Sequence, residues 1–98
     1  MLAYRRTWYV KLGRMQEALE LIQQAVDTFR DRGFTGRAYS SNVGPADVIV
    51  WEEDWSSTQE HDQAWAEFGN TAEAKEWFQQ WFKLVERGGM QETWNLKA

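Results

Sequence analysis

Two hydrophobic periods alternate along the chain, and the switches between them delimit its elements. Residues 4–11 (YRRTWYVK) set Tyr4, Arg6, Trp8 and Val10 against Arg5, Thr7, Tyr9 and Lys11, the period of two expected of a strand. Gly13 ends it. Over residues 14–32 the period changes: Met15, Ala18, Leu19, Ile22, Ala25, Val26 and Phe29 recur at helical spacing, and Gly33 follows as a C-terminal stop. Residues 35–41 and 47–55 return to strand character around a turn at 42–46 marked by Gly44-Pro45, which predicts a hairpin.

In the second half Ser57-Thr58-Gln59-Glu60 matches a capping box, so a helix is predicted from here to about Phe68. Asn70-Thr71-Ala72-Glu73 supplies a second cap after Gly69, and Ala74, Trp77, Phe78, Trp81, Leu84 and Val85 share one face of a further helix. The expected break lies between Phe68 and Thr71. Gly88-Gly89 is the expected stop, followed by a last short strand over residues 90–97 with Trp94 and Leu96 on one face.

The order strand, helix, strand, strand, helix, strand predicts an α+β fold, the ferredoxin-like βαββαβ arrangement. Two right-handed crossovers place the helices on one face of a four-stranded antiparallel sheet. Residues 1–98 are read as a single domain, since a chain of this length supports one core. The third strand has no polar face at its centre, because Val48 and Val50 point one way and Ile49 and Trp51 the other. Helices can cover only one side, so the sequence predicts a homodimer through the sheet faces.

Composition removes several function classes. Eleven Lys/Arg against fifteen Asp/Glu give a formal net charge of −4, which argues against nucleic acid as a partner. Zero Cys and one His exclude thiol chemistry and an all-histidine metal cluster. No run approaches a membrane span and the first residues lack a signal-peptide core, so no membrane role and a cytoplasmic location are expected. The conspicuous feature is aromatic: seven Trp, five Phe and three Tyr.

Residues 4–21 (YRRTWYVKLGRMQEALEL) resemble the opening of the NIPSNAP-like family, a strand with Arg-Thr-x-Tyr character and a Gly-Arg turn into an amphipathic helix. Gly44-Pro45 before Val48-Ile49-Val50-Trp51-Glu52, and the closing Glu92-Thr93-Trp94-Asn95-Leu96, are similar to the same family's hairpin and last strand. The resemblance implies the dimeric α/β-barrel superfamily, which includes cofactor-free antibiotic-biosynthesis monooxygenases and haem-degrading enzymes. In the haem branch a Trp on the second helix precedes the iron ligand by about three turns. Trp65 fits the first role, but the second falls on Lys75, and Arg5 and Arg6 stand where an Asn is expected. No haem, metal or other cofactor is therefore expected.

Candidate chemistry is sparse. His61, between Glu60 and Asp62, has the composition of a general acid or base, yet its place at a helix start reads first as a solvated surface residue. Glu52-Glu53-Asp54 sends two acids to one face and one to the other, and reads as a solvated strand edge rather than a metal site. Arg6 lies among Tyr4, Trp8 and Val10, where it needs a carboxylate, a π face or a bound anion; a salt bridge to Glu53 or Glu92 is the expected solution, and Arg37 poses the same problem. Of the aromatic set Trp8, Tyr39, Trp51, Trp65, Trp77, Trp81 and Trp94, most are expected in the core. Arg6, Trp8, Tyr39, Trp65 and Trp94 are the candidate lining of a pocket between sheet and helices. Residues 1–46 carry seven Lys/Arg and four Asp/Glu, residues 47–98 four and eleven.

The function expected is a small dimeric protein binding a hydrophobic or aromatic ligand. The alternative is a cofactor-independent monooxygenase acting on an aromatic substrate, with Arg6, Tyr39, His61 or Asn95 assisting proton transfer.

Overall fold

The computed structural model describes residues 1–98, with the side chain of Arg87 left out. The elements run β1 (Leu2–Val10), α1 (Met15–Asp31), β2 (Thr35–Ser40), β3 (Val48–Trp55), α2 (Thr58–Gly69), α3 (Ala72–Leu84) and β4 (Val85–Asn95). The sheet is antiparallel in the order β2-β3-β1-β4, the ferredoxin-like arrangement expected from the element order.

Local signals act where they are written. Gly33, at φ +83°, takes the left-handed conformation that ends α1. Ser57 accepts a hydrogen bond from the Glu60 amide and Thr71 from the Ala74 amide, so the predicted break falls at Asn70–Thr71. The β2–β3 hairpin pairs Ser40 with Ile49 and Thr35 with Asp54.

The C-terminal part differs from expectation. Helix α3 ends at Leu84, not at Gly88-Gly89, and β4 begins at Val85 rather than residue 90. Val85 is already extended (φ −106°, ψ 145°) and pairs with Val10, while the Lys11 amide donates to the Leu84 carbonyl. Pairing with β1 thus ends the helix. The two glycines lie inside β4, where Gly89 and Met90 together face Thr7 in a bulge between the Arg6–Gln91 and Trp8–Gly88 pairs. Leu96 lies beyond the strand, its amide donating to the Met1 carbonyl.

The register sorts the sheet into two faces. Arg6, Trp8 and Val10 share the helix-covered face with Ile49, Trp51, Glu53 and Trp55, whereas Arg5, Val50, Glu52, Asp54, Arg37 and Tyr39 lie on the other. The core forms on the covered face from Val10, Ala18, Leu21, Ile22, Ile49, Trp81, Leu84 and Val85. Phe29 is a second centre, with its ring against those of Phe34, Trp51, Trp55, Trp65 and Phe68. Gly36 permits this packing, because a Cβ there would stand 2.9 Å from both Phe29 and Trp51.

Candidate functional site

A cavity of about 870 Å³ opens between the covered sheet face and the helices. Strand alternation delivers Tyr4, Arg6 and Trp8 to its floor from β1 and Trp51 and Glu53 from β3, while α2 and α3 supply His61, Trp65 and Trp77. Of the five pocket candidates, Arg6, Trp8 and Trp65 line it. Tyr39 and Trp94 do not: Tyr39 lies beside Arg5 and Val50 over a shallow depression on the opposite sheet face, and Trp94, 53% exposed, pairs with Ala3 on that same face. Their aromatic character is legible in the sequence, but only pairing assigns their side of the sheet. Lys75 is exposed on α3 and is not part of the cavity wall.

The acidic run is not a solvated edge, since Glu52 is 5% and Glu53 3% exposed. Glu53 Oε1 accepts from the indoles of Trp55 (2.9 Å) and Trp65 (2.6 Å), and Oε2 from Trp51 (2.6 Å). A carboxylate is acceptor-only and an indole N–H donor-only, so the buried Glu53 is satisfied by one buried indole, Trp55, and two half-buried ones, Trp51 and Trp65. The signal was present as Trp51-x-Glu53-x-Trp55, which puts an acid between two indoles on one strand face. Trp77 finds its acceptor in the Leu21 carbonyl at 2.9 Å, whereas the Trp81 indole nitrogen is buried without a partner.

His61 is a wall residue rather than a solvated one. Its side chain is 17% exposed and its ring stacks on Tyr4 with centroids 3.9 Å apart. Nε2 faces Glu53 Oε1 at 3.4 Å and Nδ1 faces Asp62 Oδ1 at 2.9 Å. Both ring nitrogens therefore face carboxylates, and a neutral imidazole can donate to only one of them. Among the described residues no three His, Asp or Glu side chains group with metal-binding spacing.

Neither expected salt bridge to Arg6 forms. Its Nη1 donates to Gln91 Oε1 at 3.1 Å, its Cζ stands 4.4 Å from the Trp8 ring centroid, and its buried Nε has no partner. Arg37 is the reverse case, its fork donating to Asp54 at 2.9 and 3.0 Å and its Nε to Glu52 at 2.9 Å, with Arg5 on the other Glu52 oxygen at 2.8 Å. These hydrogen bonds hold the Asp54 carboxyl below its ordinary range; burial pushes the Glu52 carboxyl up, but Arg5 and Arg37 together outweigh it. The opposite charges of the two chain halves thus meet within the chain, on the uncovered face of the sheet. No helix among the described residues is long and apolar enough to cross a membrane.

No protein-family model matches the chain, and no curated protein does. Solved structures do match. An uncharacterised NIPSNAP domain protein from Burkholderia xenovorans superposes with a TM-score of 0.86 at 13% identity, over 100% of this chain and 96% of that one. A NIPSNAP family protein from Agrobacterium tumefaciens gives 0.84 at 12% identity, over 98% and 92%. An antibiotic biosynthesis monooxygenase gives 0.77 at 14% identity, over the whole of both chains. The chain therefore has the fold shared by NIPSNAP-domain and antibiotic biosynthesis monooxygenase proteins, as the resemblance of its strands and turns implies.

Proposed function

We propose that the chain acts as a single-domain homodimer that binds a flat aromatic molecule in the cavity between sheet and helices. The observation that carries this reading is the cavity itself, about 870 Å³ with the rings of Trp8, Trp51, Trp65 and Trp77 in its wall. That volume is in the range of small-molecule sites, and indole faces suit a planar ligand. Dimerisation uses the sheet face without helices, where Val50 and Tyr39 accompany the Arg37–Asp54 and Arg5–Glu52 pairs; apolar side chains and ordered charges are what a self-complementary contact needs. The same reading places it in the cytoplasm, where a chain without Cys gives up no disulfide.

Titration with N-phenyl-1-naphthylamine tests the cavity. Saturable binding near one probe per chain, with quenching of tryptophan fluorescence, is expected; binding that never saturates refutes the reading.

A second reading, oxygenation of an aromatic substrate without a cofactor, is favoured by His61, whose ring is held between Tyr4 and Glu53 at the cavity wall. Among the polar groups expected to assist it, Arg6 and His61 line the cavity and Tyr39 and Asn95 do not. Oxygen uptake with 1,4-dihydroxynaphthalene, lost in His61→Ala, is the measurement that would favour it over simple binding.

A further inference from the structure

We propose that Arg6 anchors an anionic group, so that the ligand class of the cavity is a flat aromatic acid; this rests on the cavity being an aromatic-ligand site. Arg6 stands apart from the other arginines whose side chains are described. Arg5, Arg14, Arg30, Arg32 and Arg37 each have a carboxylate within 4.0 Å, whereas among the described residues Arg6 has none. Gln91 and the Trp8 ring offset part of the cost of holding this guanidinium at the cavity wall, but its Nε is buried without a partner and no carboxylate balances its charge.

The fold nevertheless fixes this group in place. Trp8 lies beneath it, Gln91 takes one of its donors, and a Cβ on Gly88 would collide with Nη2. A strand interior disfavours glycine, so Gly88 reads as space kept for the guanidinium. The register sets Trp51 directly across from Arg6, which brings a ring attached to the bound acid beside an indole.

Nearby acids do not serve Arg6. Glu53 is engaged by three indoles, and Glu73 faces Arg32 at 3.8 Å. Glu76 and Glu86, also on the wall, make a general attraction for anions unfavourable. Recognition must therefore be local, through the accessible end of the charged fork beside Gln91.

The test compares two dyes of one scaffold, anionic 8-anilinonaphthalene-1-sulfonate and neutral N-phenyl-1-naphthylamine, on the intact protein and on Arg6→Gln and Gly88→Ala. The intact protein is expected to bind the anionic dye about tenfold more tightly, a preference of the size a charge-assisted hydrogen bond supplies. Arg6→Gln should abolish it and Gly88→Ala reduce it, with the neutral dye changed less than about twofold. Displacement of the anionic dye by 2-naphthoate, and not by 2-naphthalenemethanol, extends the result to carboxylates. Equal affinity for the two dyes in the intact protein, or a preference that survives in Arg6→Gln, overturns the anion site while leaving the cavity standing. Failure of both dyes to bind removes the cavity reading and this proposal together.

Discussion

The indole of Trp65 on α2 donates to Glu53 Oε1 on β3 at 2.6 Å, so a helix is tied to the sheet through one buried carboxylate. Two strand indoles share that acceptor. Replacing Glu53 by Ala leaves one buried donor and two half-buried ones without this acceptor, at about 1–3 kcal/mol for the buried Trp55 and less for Trp51 and Trp65. The expected loss in urea unfolding is about 3–5 kcal/mol, a large part of a small domain's stability. A loss below about 1 kcal/mol would show that the indoles find other partners.

Two glycines should respond in opposite directions to a methyl group. Gly36→Ala forces a Cβ to 2.9 Å from Phe29 and Trp51, an overpacking expected to cost about 1–3 kcal/mol. Gly69, at the end of α2, has nothing within 4 Å of its Cβ position and no positive φ, so Gly69→Ala should stabilise by about 0.5–1 kcal/mol. Thermal unfolding of the pair measures both; a Gly36→Ala protein as stable as the wild type would contradict the packing around Phe29, and a destabilised Gly69→Ala protein the open space at the end of α2.

Acid sensitivity should reside on the uncovered sheet face. Glu52 and Asp54 have folded-state pKa values below their ordinary values of 4.5 and 3.8, so each contributes stability that is present above those values and lost as pH falls through the lower, folded ones. Arg37 is raised and remains charged throughout. Stability is therefore expected to fall below about pH 5. Arg37→Met should flatten that acid limb while lowering stability at pH 7, as read from unfolding curves across the range. An unchanged acid limb would place the titrating groups elsewhere.

Sedimentation at micromolar concentration should report twice the 11.6 kDa chain mass. Val50→Lys places a charge at the centre of the proposed interface and should weaken the dimer at least about tenfold, since burying a Val side chain alone is worth about 1.5–3 kcal/mol. A wild-type monomer refutes the sheet-to-sheet contact.

Local chemistry made most of the fold legible. Caps, hairpin turn and helical periods involve residues within a few positions of one another, so Ser57, Thr71 and Gly33 act as the sequence alone predicts. The start of β4 was not legible, because Val85 and Leu84 continue the apolar face of α3 and only pairing with Val10 and Lys11 turns the chain into a strand. Gly88-Gly89, a helix stop by local rules, instead answers to Arg6 and Tyr9, side chains some eighty residues away.

For the cavity the division follows the same line. The sequence by itself determined which residues share a strand face, and so placed Arg6 with Trp8, and Trp51 with Glu53 and Trp55, because alternation is a property of the backbone. Tertiary structure alone decided which face the helices cover. That decision sent Tyr39 and Trp94 away from the cavity, buried Glu53 under three indoles, drew His61 onto Tyr4, gave Arg37 rather than Arg6 the carboxylates, and left Arg6 in a place shaped for it without a counter-charge. These contacts join residues distant in sequence, and their partners follow from sheet register and helix docking rather than from spacing along the chain.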